Sequence, residues 1–283
     1  MEIKLARHAG FCFGVKRATQ IAFNAAESRS GSTYTMGPII HSPQVVGRLS
    51  DLGVKPLGSL DGIDSGTVII RSHGVTKGEM SQAVDKGFEV LDATCPFVKK
   101  AQEYVKNLAE EGYSVVVVGE ADHPEVMGIV SYSSTPVHVV SDDNEALLLP
   151  RMKKIGVVAQ TTQSFETLKH VVDTLLPLCA EMRVYNTICD ATSVRQREAM
   201  EMARECDLML VIGGYNSANT RRLAEVCSEI QPHTRHIETA DQVDGSWFDG
   251  MASVGVTAGA STPKWLIDEV LERINALVAD KKD

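Results

Sequence analysis

Residues 89–112 read EVLDATCPFVKKAQEYVKNLAEEG. A short apolar run, EVLDAT, ends at Cys95, and from Pro96 onward the apolar residues recur at helical spacing. The same transition occurs twice more. EIKLARHAGF (2–11) leads to Cys12 and then to the helical pattern VKRATQIAFNAAES (15–28). MRVYNTI (182–188) leads to Cys189 and ATSVRQREAMEMAREC (191–206). Each third of the chain thus carries one cysteine where an apolar run gives way to a helix, the mark of an internal repeat. Thirds packed about an approximate threefold axis would bring three thiolates together at its centre. That arrangement suits a metal centre with one coordination position left open.

Between the cysteines, β-branched runs alternate with amphipathic helical patterns, which predicts an α/β fold with mainly parallel strands. The strand candidates are TYTMGPII (33–40), TVIIRS (67–72), SVVVVG (114–119), KIGVVAQ (154–160), DLMLVIG (207–213) and ASVGVTAG (252–259). Helical patterns such as SPQVVGRLSDLG (42–53), TKGEMSQAVDKG (76–87) and NTRRLAEVCSEI (219–230) follow them. Only the tail DKKD (280–283) reads as disordered.

The repeat extends to two further strand-to-helix turns. One contains His41, His123-Pro-Glu125 and Gly213-Gly-Tyr-Asn-Ser217-Ala-Asn219, each at nearly the same remove from its cysteine. The other contains Arg71-Ser-His73-Gly, Gln160-Thr161-Thr162 and Ala258-Gly-Ala-Ser261. Ligands of open parallel sheets bind beyond the carboxyl ends of the strands, where these turns lie. Helix N-termini there aim N–H groups and positive dipole ends at one place, which favours an anion of phosphate or diphosphate size. There is no GxxxxGK[ST] loop. Glu125 fits an ordinary helix start after Pro124; facing a pocket, it would instead have a raised pKa and could give up a proton.

Three cysteines without a CxxC pair do not match a structural zinc site, whereas thiolates suit iron–sulfur chemistry. Cys179, Cys206 and Cys227 fall in helical patterns as core or surface residues, and His8, His138, His170, His233 and His236 follow no pattern. With 28 Lys+Arg against 37 Asp+Glu, a net charge of −9 argues against nucleic acid as a partner. No stretch has the length of a membrane span or a signal-peptide core, and the reading is cytoplasmic, where thiols stay reduced. An open-iron hydro-lyase, an iron–sulfur redox carrier and a cluster-free phosphosugar-binding protein are the alternatives to a cluster-bearing reductase.

The segments GFCFGVKRA, GPIIHSPQVV, RSHGV, DATCPFV, HPEVMG, QTTQS, NTICDAT, GGYNSANTRRLAEV and AGASTP, taken together, resemble the LytB/IspH family of 4-hydroxy-3-methylbut-2-enyl diphosphate reductases. The resemblance spans the chain from its first strand to its last helix. It implies three pseudo-equivalent α/β domains (14–95, 96–192, and 193–283 with 1–13) in a trefoil around a central iron–sulfur cluster. One [4Fe-4S] cluster per chain would be held by Cys12, Cys95 and Cys189. The resemblance assigns the diphosphate to His41, His73, His123, Ser217, Asn219 and Ser261, the ordering of substrate and proton network to Thr161 and Thr162, and the catalytic proton chemistry to Glu125 with His123 and Thr161. It implies reductive dehydroxylation of an allylic diphosphate in the non-mevalonate isoprenoid pathway, with reduced ferredoxin or flavodoxin as electron donor. Ala218 departs from the family pattern, which often has a serine there.

Overall fold

The structure, a computed structural model, describes residues 1–28 and 31–279; the tail read above as disordered lies outside them. Twelve strands alternate with ten helices among the described residues. The strands are β1 (Glu2–Leu5), β2 (Thr33–Met36), β3 (Val54–Leu57), β4 (Thr67–Ile70), β5 (Glu89–Asp92), β6 (Ser114–Val118), β7 (Val137–Val140), β8 (Met152–Ala159), β9 (Cys179–Tyr185), β10 (Leu208–Ile212), β11 (Thr234–Ile237) and β12 (Ser253–Ala258). The helices are α1 (Phe13–Ser28), α2 (Pro43–Asp51), α3 (Lys77–Asp85), α4 (Pro96–Glu110), α5 (Pro124–Val130), α6 (Asp143–Leu147), α7 (Phe165–Leu175), α8 (Asp190–Glu205), α9 (Ala218–Ser228) and α10 (Lys264–Ala279).

The strands form three four-stranded sheets, ordered β3-β2-β4-β5, β7-β6-β8-β9 and β11-β10-β12-β1, with every pairing parallel. All three share one plan: second, first, third, fourth. In the last sheet the fourth strand is β1, so the N-terminus completes the repeat that β10 begins. The chain divides into two compact units. One comprises Met1–Val15, His41–Val45 and Asp190–Asp283 and holds the sheet completed by β1; the other, Lys16–Ile40 and Val46–Cys189, holds the remaining two sheets.

The central strands explain the sequence pattern. Val115–Val118 of β6 are wholly buried, as are Leu210–Ile212 of β10, because helices cover both faces. Each such side chain stabilises the fold by roughly 1.5–3 kcal/mol. The outer strands β3, β7 and β11 are four residues long and partly exposed, and no periodicity announces them. Cys179, read above as helical, opens β9 instead; Pro177 confines the preceding turn to a short 3-10 segment, Leu176–Leu178.

The shared strand order decides where ligands can sit. The chain leaves the first strand of each repeat toward one edge and returns across it to the third. The order therefore reverses between the neighbouring pairs β2/β4, β6/β8 and β10/β12, and the carboxyl ends of such pairs are where parallel sheets bind ligands. The turns that follow those strands carry His41 and His73, then His123 and Thr162, then Ser217 and Ser261.

Candidate active site

The turns repeat at the level of single backbone hydrogen bonds. The glycine after the first strand donates to the carbonyl closing the outer strand: Gly37 to Leu57 (2.7 Å), Gly119 to Val140 (2.9 Å) and Gly213 to Ile237 (2.8 Å). After the third strand, Gly74 donates to Arg71, Gln163 to Gln160 and Thr262 to Gly259, each at 3.0 Å. Each cysteine N–H then donates into that same turn: Cys95 to Ser72 (2.9 Å), Cys189 to Thr161 (2.9 Å) and Cys12 to Ala260 (3.2 Å). Thus His41, His123 and Ser217 are equivalent, and so are His73, Thr162 and Ser261. Glu125 and Asn219 share a third position.

Close approach of the turns requires glycine. A Cβ on Gly119 would stand 2.8 Å from Gln160 Oε1 and 2.9 Å from Gln160 Cβ. One on Gly214 would meet the His41 carbonyl oxygen at 2.9 Å.

In the two-sheet unit, His123 caps α5 and Pro124 follows at the first helical position. Its Nδ1 accepts the Glu125 N–H at 3.1 Å, so a neutral ring carries its proton on Nε2. The His73 ring meets the His123 ring edge-on, with centroids 5.7 Å apart. Glu125 is only 2% exposed. The Thr161 N–H donates to its Oε1 at 2.7 Å, and the Thr161 hydroxyl donates to Oε2 at 3.0 Å. Burial pushes the carboxyl up to about 7, against the downward pull of the two Thr161 donors. A first-turn glutamate that served only the helix dipole would be solvated. Glu125 is instead a buried acid that titrates near neutrality.

The other unit supplies donors. Ser217 caps α9, accepting from the Thr220 N–H at 3.3 Å. Ser261 Oγ donates to the His41 carbonyl at 3.1 Å and lies 3.3 Å from Ser217 Oγ. Ser217, Asn219 and Ser261 are all buried, yet Asn219 Nδ2 meets no acceptor. A buried amide left so costs about 1–3 kcal/mol unless something accepts from it. Small polar side chains and a helix start gathered there suit an anion.

The six cysteines are thiols, not disulfides. Cys12, Cys95 and Cys189 are half-buried at turns, and Cys95 caps α4 through its backbone alone. Cys206 and Cys227 are buried in one apolar cluster; burial raises both thiols, Cys227 to about 12. These two stay protonated and are poor ligands. Among the described residues, no group of three or more His, Cys, Asp or Glu side chains gathers tightly enough to hold a metal ion. Each of the thiols of Cys12, Cys95 and Cys189 is reduced and only half-buried, the state in which a cysteine can ligate iron.

The sequence family described as LytB protein matches residues 3–275. The chain belongs to the LytB family. A protein of Geobacter sulfurreducens named 4-hydroxy-3-methylbut-2-enyl diphosphate reductase is 69% identical over 282 residues, covering 100% of both chains. One of the same name from Geotalea uraniireducens is 65% identical over 281 residues, 99% of each. Among solved structures, (E)-4-hydroxy-3-methyl-but-2-enyl diphosphate reductase, described as the terminal enzyme of the non-mevalonate pathway, is 45% identical. It covers 98% of this chain and 100% of its own, with a TM-score of 0.70. The Plasmodium falciparum E-1-hydroxy-2-methyl-but-2-enyl-4-diphosphate reductase is 26% identical, covering 96% and 87%, with a TM-score of 0.90. The parallel α/β architecture is therefore the family's own.

Three further side chains hold the turns of this family member in shape. Arg71 Nε donates to the Gly74 carbonyl at 3.0 Å and closes the turn that presents His73. His236 Nε2 contacts the Gly213 carbonyl at 2.9 Å, and Glu238 Oε1 accepts the Tyr215 N–H at 2.6 Å. Arg71 stands inside the RSHG motif, where sequence could have found it. His236 and Glu238 lie at the end of a short outer strand and give no sequence signal.

Proposed function

We propose that the chain is a 4-hydroxy-3-methylbut-2-enyl diphosphate reductase, which removes the allylic hydroxyl of its substrate reductively to give isopentenyl and dimethylallyl diphosphate. The observation that carries this reading is Glu125: a wholly buried carboxyl, titrating near 7 and held by Thr161, at the carboxyl ends of β6 and β8. Family membership supplies the substrate class.

The diphosphate would be met by His41, His73, His123, Ser217, Asn219 and Ser261, with Thr162 beside them. Orphaned donors such as Asn219 Nδ2 gain an acceptor when it arrives, which favours a substrate with both diphosphate and hydroxyl ends over one lacking either. A [4Fe-4S] cluster on Cys12, Cys95 and Cys189 would supply single electrons and a Lewis-acidic iron. Protonated Glu125 can donate through Oε2 to the Thr161 hydroxyl, which reverses the direction of the 3.0 Å bond and passes a proton outward. Oxygen then departs as water rather than hydroxide, the step in which a general acid contributes most. His123, fixed by its Nδ1 bond, presents Nε2–H as a second donor.

No described helix is long and apolar enough to cross a membrane. Reduced thiols as ligands fit a cytoplasmic enzyme fed by a one-electron carrier such as ferredoxin or flavodoxin. The test is iron and sulfide content after anaerobic purification, with about four irons per chain expected. Cys12→Ser, Cys95→Ser or Cys189→Ser should deplete iron and turnover, whereas the same change at Cys179, Cys206 or Cys227 should spare both. The reverse pattern would remove the cluster from the first three.

A further inference from the structure

The loops that lead into two of the cysteines are each held by one guanidinium. Arg195 of α8 is 3% exposed and donates to three carbonyls: Nε to His8 (3.0 Å), Nη2 to Gly10 (2.8 Å) and Nη1 to Ala191 (3.1 Å). His8 and Gly10 belong to the loop that ends in Cys12. Arg17 of α1, half-buried, donates Nη2 to the Asp92 carbonyl at 3.1 Å and Nη1 to the Thr94 carbonyl at 3.3 Å, just ahead of Cys95. In both cases the two accepting residues of the loop are separated by one residue, so the planar fork bridges two nearby carbonyls of the loop. The third loop follows the same plan with different chemistry. Tyr104 of α4 stacks on Tyr185, ahead of Cys189, with ring centroids 3.9 Å apart and planes 7° from parallel. Each anchor comes from a helix that itself follows a cysteine: Cys12 for Arg17, Cys189 for Arg195, Cys95 for Tyr104.

We propose that Arg195 and Arg17 are positioning residues for the ligands Cys12 and Cys95, fixing the peptide planes of the loops so that each thiol is held ready for the cluster. The proposal rests on the reading of those cysteines as cluster ligands. Backbone carbonyls bound by a cation cannot rotate, and charge-assisted bonds of this kind are about twice as strong as neutral ones. Groups beyond the direct ligands orient them, and their loss weakens metal retention. A purely packing role for these side chains would not choose carbonyls ahead of two equivalent cysteines.

Backbone hydrogen exchange of the full chain prepared without iron tests the clamp apart from any activity. The amides to follow are those of Cys12, Cys95 and Cys189, which donate to Ala260, Ser72 and Thr161. Arg195→Lys keeps the charge but loses the fork. It should speed exchange at Cys12 by about tenfold, the equivalent of one net hydrogen bond, and leave Cys95 and Cys189 unchanged. Arg17→Gln should do the reverse, exposing Cys95 alone. After cluster reconstitution, each variant should release iron to a chelator roughly 10–100-fold faster than the parent. Unchanged exchange at the served cysteine, an equal rise at all three, or normal iron release from a variant that has lost protection each overturns the proposal. Arg17→Gln carries the test if Arg195→Lys does not fold; failure of both to fold would make the arginines general folding residues and also overturn it. If the parent chain takes up no iron, the cluster reading fails, while the exchange pattern still decides the clamp.

Discussion

The repeat built on β6–β9 and the repeat built on β10–β12 with β1 have nearly the same backbone and opposite chemistry. His123 donates to the Glu120 carbonyl as Ser217 does to Gly214, both at 3.0 Å, and the cysteine amides close onto equivalent turns. Two residues past each of those positions comes Glu125 in one repeat and Asn219 in the other. The first is a buried acid satisfied by Thr161; the second is a buried amide with an unmet donor. One frame therefore holds a buried carboxyl and the other a buried amide donor, the pair proposed above as proton source and anion contact. Backbone hydrogen bonds fix where a side chain emerges, and the side chain alone decides what the position does.

The largest expected effect breaks the acid half of that comparison. Glu125→Gln keeps the shape, and its amide can accept from the Thr161 N–H and donate to the Thr161 hydroxyl, so the fold should hold. Turnover with a reduced carrier should fall by about 10²–10⁴-fold while substrate still binds. Near-normal turnover would reduce Glu125 to a helix-start residue. The amide half should respond in the other parameter: Asn219→Ala should weaken substrate binding by roughly 1.5–3 kcal/mol, the scale of a hydrogen bond to a charged group, with the iron content intact. Unaltered affinity in a titration would take the diphosphate away from α9.

Three further effects sharpen it. The Glu125 carboxyl titrates at about 7 in the fold, against an ordinary value of 4.5. Between those values the folded chain holds a proton that the unfolded chain releases, so stability falls as pH rises through the window and levels off above 7. The loss should total roughly 3 kcal/mol and be absent from Glu125→Gln, as denaturant unfolding at several pH values would read. Thr161→Val removes one of the two donors that lower that carboxyl, and with it the hydroxyl through which the proton would pass. Turnover should therefore drop, and the Glu125 limb of the remaining pH–rate profile should move to higher pH; a limb that stays in place would break the pairing. The smallest effect belongs to Ala218→Ser, which adds a hydroxyl beside Ser217 and should leave binding unchanged or slightly tighter.

Much of this was legible from residue order. Central strands buried on both faces read as unbroken runs of Val, Ile and Leu, and Pro or Ser marked the helix starts at Pro124 and Ser217. The cysteine spacing exposed the repeat because each thiol closes one copy of the same motif. The outer strands β3, β7 and β11 escaped because four half-exposed residues carry no period. His236, Glu238, Arg17 and Arg195 escaped for another reason: their partners are backbone carbonyls and amides remote in the chain, and any residue type offers those.

Sequence by itself determined the parallel α/β class, the threefold repeat, the identity of the turn residues and the family they resemble, since all of these follow from residue type and spacing. The resemblance already joined residues 1–13 to the third repeat; only the tertiary structure decided that β1 enters its sheet as a parallel partner of β12, and that Glu125 and Asn219 are equivalents with opposite needs. It also decided that burial, not position at a helix start, raises the Glu125 carboxyl to about 7. Strand pairing and desolvation depend on what surrounds a group in space, and neighbours brought in from distant parts of the chain leave no trace in the local pattern.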